Sequence, residues 1–558
     1  MTNFKDIKTR NELAEFIGIP IRHLTNVLYK INVDNMYSSF KIPKKSGGER
    51  VIQSPNKDLK NIQVKIAQSL DVHITKQQKY DNNISHAFKK NKGIITNSKV
   101  HRNKRIVVNM DLENFFESIH FGRVRGYFNK NDMFKLPIEV ATILAQLTCY
   151  KGSLPQGGST SPIISNLICE VLDYRILSLA KKYKLKYTRY ADDLTFSTNN
   201  NEFVNLYSQF SDEISKVILK SGFRINQKKT RLQFWNSRQT VTGLVVNKKI
   251  NVPREYYKNT RAMANQLYKT GEYVIDGDLG TIGRLEGRFT FIDQLTKYNN
   301  SLDDDIKHNR FHLSGREVEY QKFLFYKYFF SNSKPLLITE GKTDVRYLKA
   351  ALKKHSLEYP ELVEKDTNDN FNFKITFLKK TKRMKYFFGI VPDGASALNN
   401  VYNFYKGVNL DPNHYEHFMK ISENRPTNPV VLLFDNEITK EKPLNKFINH
   451  AKINNKKSII KQNLTLNVIG NLHLLTTPLM DNRLEGDIED LFKTSELAIV
   501  IKGRKFDKTE KLDKSLYYGK DQFSKYVLLN YEEIDFDNFK PLLDKLSDLI
   551  RNHSVASK

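Results

Sequence analysis

The sequence predicts two domains of different class: an α+β N-terminal part, then an α/β part with a mainly parallel sheet. Three observations carry this. The chain has 558 residues, too many for one ordinary core. Its first half sets adjacent acids, Asp192-Asp193, between the strand-forming runs Leu185 to Tyr190 and Leu194 to Phe196, the pattern of a β-hairpin tip. Its second half alternates buried-strand runs, Leu336 to Thr339 and Pro429 to Phe434, with helical stretches such as Val345 to Leu352.

The acids of the first half have company. Ile106 to Met110 is an apolar run that ends in Asp111, so a strand delivers a third carboxylate. An Asp-Asp pair alone is an ordinary solvated turn. Three carboxylates at adjoining strand ends suit two divalent ions, which hard oxygen ligands hold and which clamp the attacking and leaving oxygens of a phosphoryl transfer. Between them lies Leu154-Pro155-Gln156-Gly157-Gly158-Ser159-Thr160-Ser161-Pro162. Its glycines permit close backbone approach to a ligand, and Ser161 is placed to cap a helix with Pro162 at its first position.

Asp111, the Leu154-Pro155-Gln156-Gly157 segment and the Tyr190-Ala191-Asp192-Asp193 box, in that order, resemble the palm of a reverse transcriptase. The resemblance implies a right-hand polymerase fold of fingers, palm and thumb, and an RNA-directed DNA polymerase. It implies that Asp111, Asp192 and Asp193 are catalytic and bind two Mg²⁺ ions. It assigns dNTP binding to Arg50, Leu112, Phe115, Phe116, Gln156, Gly157 and Lys229, with Phe116 as the gate against a ribose 2′-OH. Read without the family, Phe116 is equally a core residue, and Arg50 and Lys229 are ordinary surface charges.

Asn97-Ser98-Lys99-Val100-His101 resembles the Asn-Ala-x-x-His signature of retron reverse transcriptases, with Ser98 in place of alanine. Val241-Thr242-Gly243 matches their Val-Thr-Gly signature. That resemblance implies a cognate non-coding RNA, copied into multicopy single-stranded DNA from the 2′-OH of a guanosine. It makes Asn97 and His101 candidates for RNA contact. The plain alternative for His101 is a polar surface histidine.

Composition agrees with a nucleic-acid partner. Lys and Arg number 90 against 61 Asp and Glu, a formal charge of +29. The 28 Tyr and 35 Phe offer stacking platforms. No apolar run reaches 18 residues and the start lacks a signal-peptide core, so no membrane attachment and a cytoplasmic location are expected. Cys149 and Cys169, the two cysteines, lack metal-ligand spacing.

The polymerase is expected over 1–315, with a helical lead-in over Asn11 to Lys30, fingers over about 36–105, palm over about 106–245 and thumb over about 250–315. In the thumb, Arg254, Lys258, Arg261, Asn265 and Lys269 share one helical face, and Tyr256, Met263 and Leu267 another. The basic face is a candidate RNA contact or an ordinary solvated face. Residues 316–333 read as a connector helix whose aromatics, Tyr320 to Phe330, join two domains.

In the second half, Gly341-Lys342-Thr343 suggests a phosphate-binding loop, but that loop needs glycine at position 336, which is Leu336. What remains is a strand ending in Glu340, a glycine turn and a helix. The next strand ends in Asp435-Asn436-Glu437, and Asp487-Ile488-Glu489-Asp490 follows. This half, over 334–500, resembles a Toprim domain, closest in its Glu-Gly-x-Thr-Asp form to overcoming-lysogenization-defect nucleases. The resemblance implies Glu340 as catalytic acid/base and Glu340, Asp435, Glu437, Glu489 and Asp490 as ligands of Mg²⁺ or Mn²⁺. Glu437 stands where the family has Asp. By the same resemblance the domain is a nuclease effector in antiviral defence. The alternative is another bacterial reverse transcriptase carrying a non-catalytic Toprim scaffold for its RNA-DNA product. Residues 501–558 form a basic extension (Lys502, Arg504, Lys505, Lys508, Lys511, Lys514) for nucleic-acid contact or packing. A homo-oligomer stays open.

Overall fold

Strand β3 (Ile106–Asp111) is the centre of the first half in the computed structural model. The structure describes residues 4–44, 47–77, 83–303, 309–391, 396–439, 441–453, 460, 463–480, 483–509 and 513–556. The chain divides into two compact units, Met1–Arg254 and Glu255–Lys558.

In the first unit a hairpin of β1 (Tyr37–Pro43) and β2 (Glu49–Pro55) precedes a long helix, Lys57–Gln77. The main sheet has the order β4-β5-β3-β6, with β4 (Lys186–Tyr190), β5 (Asp193–Thr198) and β6 (Arg231–Phe234). All three pairings are antiparallel. Successive side chains of a strand face opposite ways. On β3, Ile106, Val108 and Met110 therefore enter the large core with Leu194 and Phe196, whereas Val107 packs with Val241 and Val246. Helices Ser161–Lys182 and Phe203–Lys220 supply Leu172, Ile176, Phe210 and Ile214 to the same core. Each such side chain, fully buried, contributes about 1.5–3 kcal/mol. A short hairpin of β7 (Thr240–Val241) and β8 (Leu244–Val245) follows. The expected lead-in helix is broken: Arg10–Phe16 and Ile21–Thr25 are separate, with Gly18 at φ +67° and Pro20 between them. Cys149 and Cys169 are buried free thiols.

The second unit begins with the expected thumb. Helix Arg254–Thr270, a hairpin of β9 (Val274–Ile275) and β10 (Asp278–Leu279), and helix Ile282–Asn300 pack with the C-terminal half rather than forming a domain that ends near 315. The physical reason is aromatic. From helix Gly315–Phe325 and the wider turn Tyr326–Phe330, Tyr320 stacks on Phe289 at 5.5 Å, Tyr326 meets Tyr268 at 5.0 Å and Phe330 meets Phe418 at 5.4 Å. The aromatics thus join elements within one unit.

Its sheet has the order β14-β11-β15-β17-β16, and a hairpin of β12 (Val363–Lys365) and β13 (Phe371–Phe373) lies apart. β11 (Leu336–Ile338) runs parallel to β14 (Thr376–Phe377) and β15 (Val430–Phe434), and β15 parallel to β17 (Leu472–Thr476). Only the edge pairing of β16 (Thr465–Ile469) with β17 is antiparallel. The sheet is mainly parallel, as the sequence predicts. Both faces are covered: Leu336, Ile338, Val430 and Leu432 enter one core, Leu337, Val431 and Leu433 another. The second core includes Phe523, Val527, Leu542, Leu543 and Leu546. Residues after 500 therefore complete this fold, and the expected boundary at 500 is too early. Lys511 lies outside the described residues. Among the described residues no helix is long and apolar enough to cross a membrane.

Candidate active site

The hairpin tip forms as expected. Tyr190 pairs with Asp193, leaving Ala191 and Asp192 as the turn, and Ala191 takes φ +55°. A left-handed non-glycine residue is held there only by its surroundings. Asp111 is the register partner of Asp193 across β3 and β5, so all three acids meet at one end of the sheet. The Leu112 amide donates to the Asp192 carbonyl at 3.0 Å, locking the tip to the end of β3.

These charges repel. Burial, and next the charges of Asp192 and Asp111, push the Asp193 carboxyl up to about 7. Burial and then Asp111 raise Asp192 as well, while Lys229 and Arg50 oppose the rise. Lys229, from the turn Gln227–Lys229, donates to both Asp111 oxygens at 2.9 and 3.0 Å. Among the described residues no three His, Cys, Asp or Glu side chains are already arranged to hold a metal ion. The donor set nevertheless fits hard divalent ions: oxygen ligands only, partly buried, with like charges that add to the rise that burial causes at Asp192 and Asp193.

The surrounding residues divide into two groups. Arg50 is exposed on β2, and Phe116 is half-buried, edge-on to Phe115 at 5.2 Å. Gln156 is half-buried and its loop is tied to β2: Gln53 N–H donates to the Gln156 carbonyl at 2.9 Å, and Gln53 Oε1 accepts from the Gln156 amide at 3.2 Å. Leu112 and Phe115, expected at the nucleotide, are instead core residues, with Phe115 stacked on Phe223 at 5.8 Å. Gly157 has φ +132°, and a Cβ there would lie 2.6 Å from the Gln53 carbonyl oxygen. Its close approach in this structure is to β2. Ser161 caps nothing, because it is already inside the helix; its hydroxyl donates to the Pro155 carbonyl at 2.8 Å.

Asn97 and His101 also differ from expectation. Both are fully buried, and neither presents a surface to RNA. His101 Nδ1 lies 2.8 Å from Ser197 Oγ and Nε2 lies 2.7 Å from Thr188 Oγ1, and Thr188 donates to Asn97 Oδ1 at 2.5 Å. Ser98 donates to the Val241 carbonyl at 3.1 Å. The two short signatures thus fasten helix Ile94–His101 to the sheet and to each other. Burial, then His86 and Lys104, hold His101 down to about 3, so it is neutral.

A further device was missed in the sequence. Arg189, fully buried, forms a bidentate pair with Asp173 at 2.8 Å through Nε and Nη2. Its Nη1 donates to the Ala191 carbonyl at 3.3 Å and to Asn166 Oδ1 at 3.2 Å, and Tyr187 donates to Asp173 at 2.8 Å. The guanidinium therefore holds the strained turn from behind. The available signal was an arginine inside a buried strand run, which demands a partner.

In the second unit the expected acids gather at the carboxyl ends of β11 and β15. The Asp435 amide donates to Glu340 Oε1 at 3.1 Å, and Ile488 N–H donates to Asp435 Oδ1 at 3.0 Å. Burial raises Glu340 to about 7, with Asp344 and Glu437 adding to the rise. Burial and then Glu340 raise Asp435. Glu489 is also pushed up to about 7 by burial. Cations already engage several of these acids. Lys508 contacts Asp487 at 2.6 Å and Asp490 at 2.8 Å, Lys520 donates to Glu489 at 3.0 Å, Arg483 pairs with Asp490 at 3.0 Å and Lys442 with Glu437 at 2.7 Å. Asp344 and Asp487, absent from the expected set, belong to the cluster.

The reverse transcriptase (RNA-dependent DNA polymerase) family matches residues 42–247, which contain the whole palm site. The retron Ec86 reverse transcriptase of Escherichia coli is 32% identical over 46% of this chain and 78% of its own length. The chain belongs to the retron reverse transcriptase family. The retron Mx162 enzyme of Myxococcus xanthus is 31% identical over 51% of this chain and 64% of its own. The retron Ec83 enzyme of Escherichia coli is 30% identical over 50% and 93%. A structure of apo telomerase from Candida tropicalis covers 52% of this chain and 60% of its own at 13% identity, with a TM-score of 0.31, too distant to bear on the site.

Proposed function

We propose that this retron reverse transcriptase copies a cognate non-coding RNA into multicopy single-stranded DNA, priming from the 2′-OH of a guanosine in that RNA. The observation that carries the catalytic reading is the register of Asp111 against Asp193 with Asp192 in the adjoining turn. Magnesium, when bound by these three acids, neutralises charge on the attacking and leaving oxygens of the phosphoryl transfer. The chain's own residues do the rest. Lys229 balances Asp111 until substrate arrives. Arg50 on the fingers hairpin draws the triphosphate toward Asp192. Phe116 excludes a ribose 2′-OH by bulk, and Gln156, tied to β2, forms the floor of the nucleotide site. The exposed cations Arg254, Lys258, Arg261 and Lys269 bind the nucleic-acid backbone. The test is extension of a primed RNA template with dNTPs by the full chain. Asp193→Asn is expected to abolish it while leaving folding intact; extension at the unchanged rate would overturn the assignment.

For the second unit the proposal is a Toprim-type, metal-dependent nuclease effector in anti-phage defence, with Glu340 as acid/base and Asp435, Glu437, Glu489 and Asp490 as ligands of Mg²⁺ or Mn²⁺. Its support is the placement of half-buried Glu340 and Asp435 at adjoining strand ends with raised pKa values. One observation favours a second reading, a binding scaffold: Lys508, Lys520 and Lys442 already neutralise much of the cluster. Glu340→Gln and Asp435→Asn separate the two, since a scaffold keeps its biological function after either change.

A further inference from the structure

The basic face of helix Arg254–Thr270 is not simply solvated. Within the second unit it forms one wall of a cavity of about 420 Å³. Lys258, Arg261 and Asn265 face it from that helix, Lys322 from helix Gly315–Phe325, and His417 from helix His414–Ile421. Its one carboxylate, Glu319, lies 3.4 Å from Lys322 Nζ and 3.8 Å from Arg261 Nε. Three cations against one acid leave the cavity net positive.

Tyr268 also lines this cavity, 4% exposed, with its ring fixed against Tyr326 at 5.0 Å and Phe418 at 4.9 Å. The volume falls within the roughly 300–1,000 Å³ typical of small-molecule sites, larger than one phosphate needs.

We propose that this cavity binds one nucleotide of a nucleic-acid strand, its phosphate held by Lys258, Arg261 and Lys322 and its base lying against His417. The inference rests on the polymerase reading only for the strand's origin. It adds that the strand is gripped jointly by the helix expected of a thumb and by residues of the C-terminal half, Lys322 and His417, which no polymerase motif includes.

The test is fluorescence anisotropy of a labelled (dT)20 strand with the full chain, titrated at several salt concentrations. Lys322→Gln is expected to weaken binding about three- to tenfold and to flatten the slope of log K against log salt by about 0.7, the loss of one phosphate contact on a single strand. Glu319→Gln is expected to tighten binding, a gain no misfolded variant produces. Unchanged affinity and slope in both variants overturns the proposal. So does direct calorimetric binding of inorganic phosphate or dTTP that is lost in Lys322→Gln while (dT)20 binding stays unchanged, because the cavity then serves free anions. Neither result depends on catalysis, so template extension by the same protein keeps the polymerase reading separately testable.

Discussion

Replacing Arg189 with Met removes a guanidinium that is fully buried and leaves the Asp173 carboxylate, itself 2% exposed, without its ion pair. The structure sets the magnitude. Arg189 donates to Asp173 twice at 2.8 Å, to Asn166 and to the Ala191 carbonyl. Breaking a buried pair from one side costs about 3–5 kcal/mol, because the remaining charge is uncompensated. For a unit of this size each kcal/mol lowers Tm by about 2–4 °C, so a fall of roughly 6–20 °C is expected for the first unit. Thermal unfolding followed by circular dichroism measures it. Changing Asp173 to Asn as well should recover much of the loss, since the buried charge goes with it. A single variant within about 1 kcal/mol of wild type, or a double variant no better than the single, would refute the claim that this pair supports the Ala191–Asp192 turn.

Three further outcomes follow from the same geometry. His101 is held down to about 3 by burial, so only the unfolded chain takes up its proton below about 6.5; the stability it supports is complete above that pH and falls by about 1.4 kcal/mol per unit below it. Urea midpoints at pH 7.5, 6.5 and 5.5 should show this fall, with a shallower slope in His101→Gln; an equal slope contradicts the reading. Glu340 is raised to about 7, so its favourable contribution is complete below about 4.5 and lost as pH rises through 7. At pH 8 without metal, Glu340→Gln should therefore be more stable by about 3 kcal/mol and should lose any Tm gain on adding Mn²⁺, as calorimetry can check. Phe116→Ala should improve ribonucleotide use relative to deoxynucleotide by about 10²-fold in single-nucleotide extension, and an unchanged ratio removes Phe116 as the gate.

The gathering of Asp111, Asp192 and Asp193 at one end of the first sheet was legible because its signals are local. A strand run ending in Asp111 and a hairpin around Asp192-Asp193 require only period-two burial and a two-residue turn. The parallel sheet of the second unit was legible for the same reason, its strands being short apolar runs that end in acids. Three features were not legible. Asn97 and His101 carry polar side chains that read as surface groups, and only the sheet opposite them, with Ser197 and Thr188, makes them internal. The thumb's allegiance depends on ring contacts such as Tyr268 with Phe418, 150 positions away in sequence, which no local pattern encodes. The lysines on the second acid cluster come from residues 508 and 520, in a stretch whose composition reads as solvated charge. Motif spacing located the acids and was silent about what neutralises them.

The most direct test of the account is expression of the chain together with the DNA flanking its gene upstream, followed by extraction of small nucleic acids and ribonuclease treatment. The account predicts a discrete short single-stranded DNA that disappears in Asp192→Ala. No such DNA from the wild-type chain, or one that persists in Asp192→Ala, would contradict it.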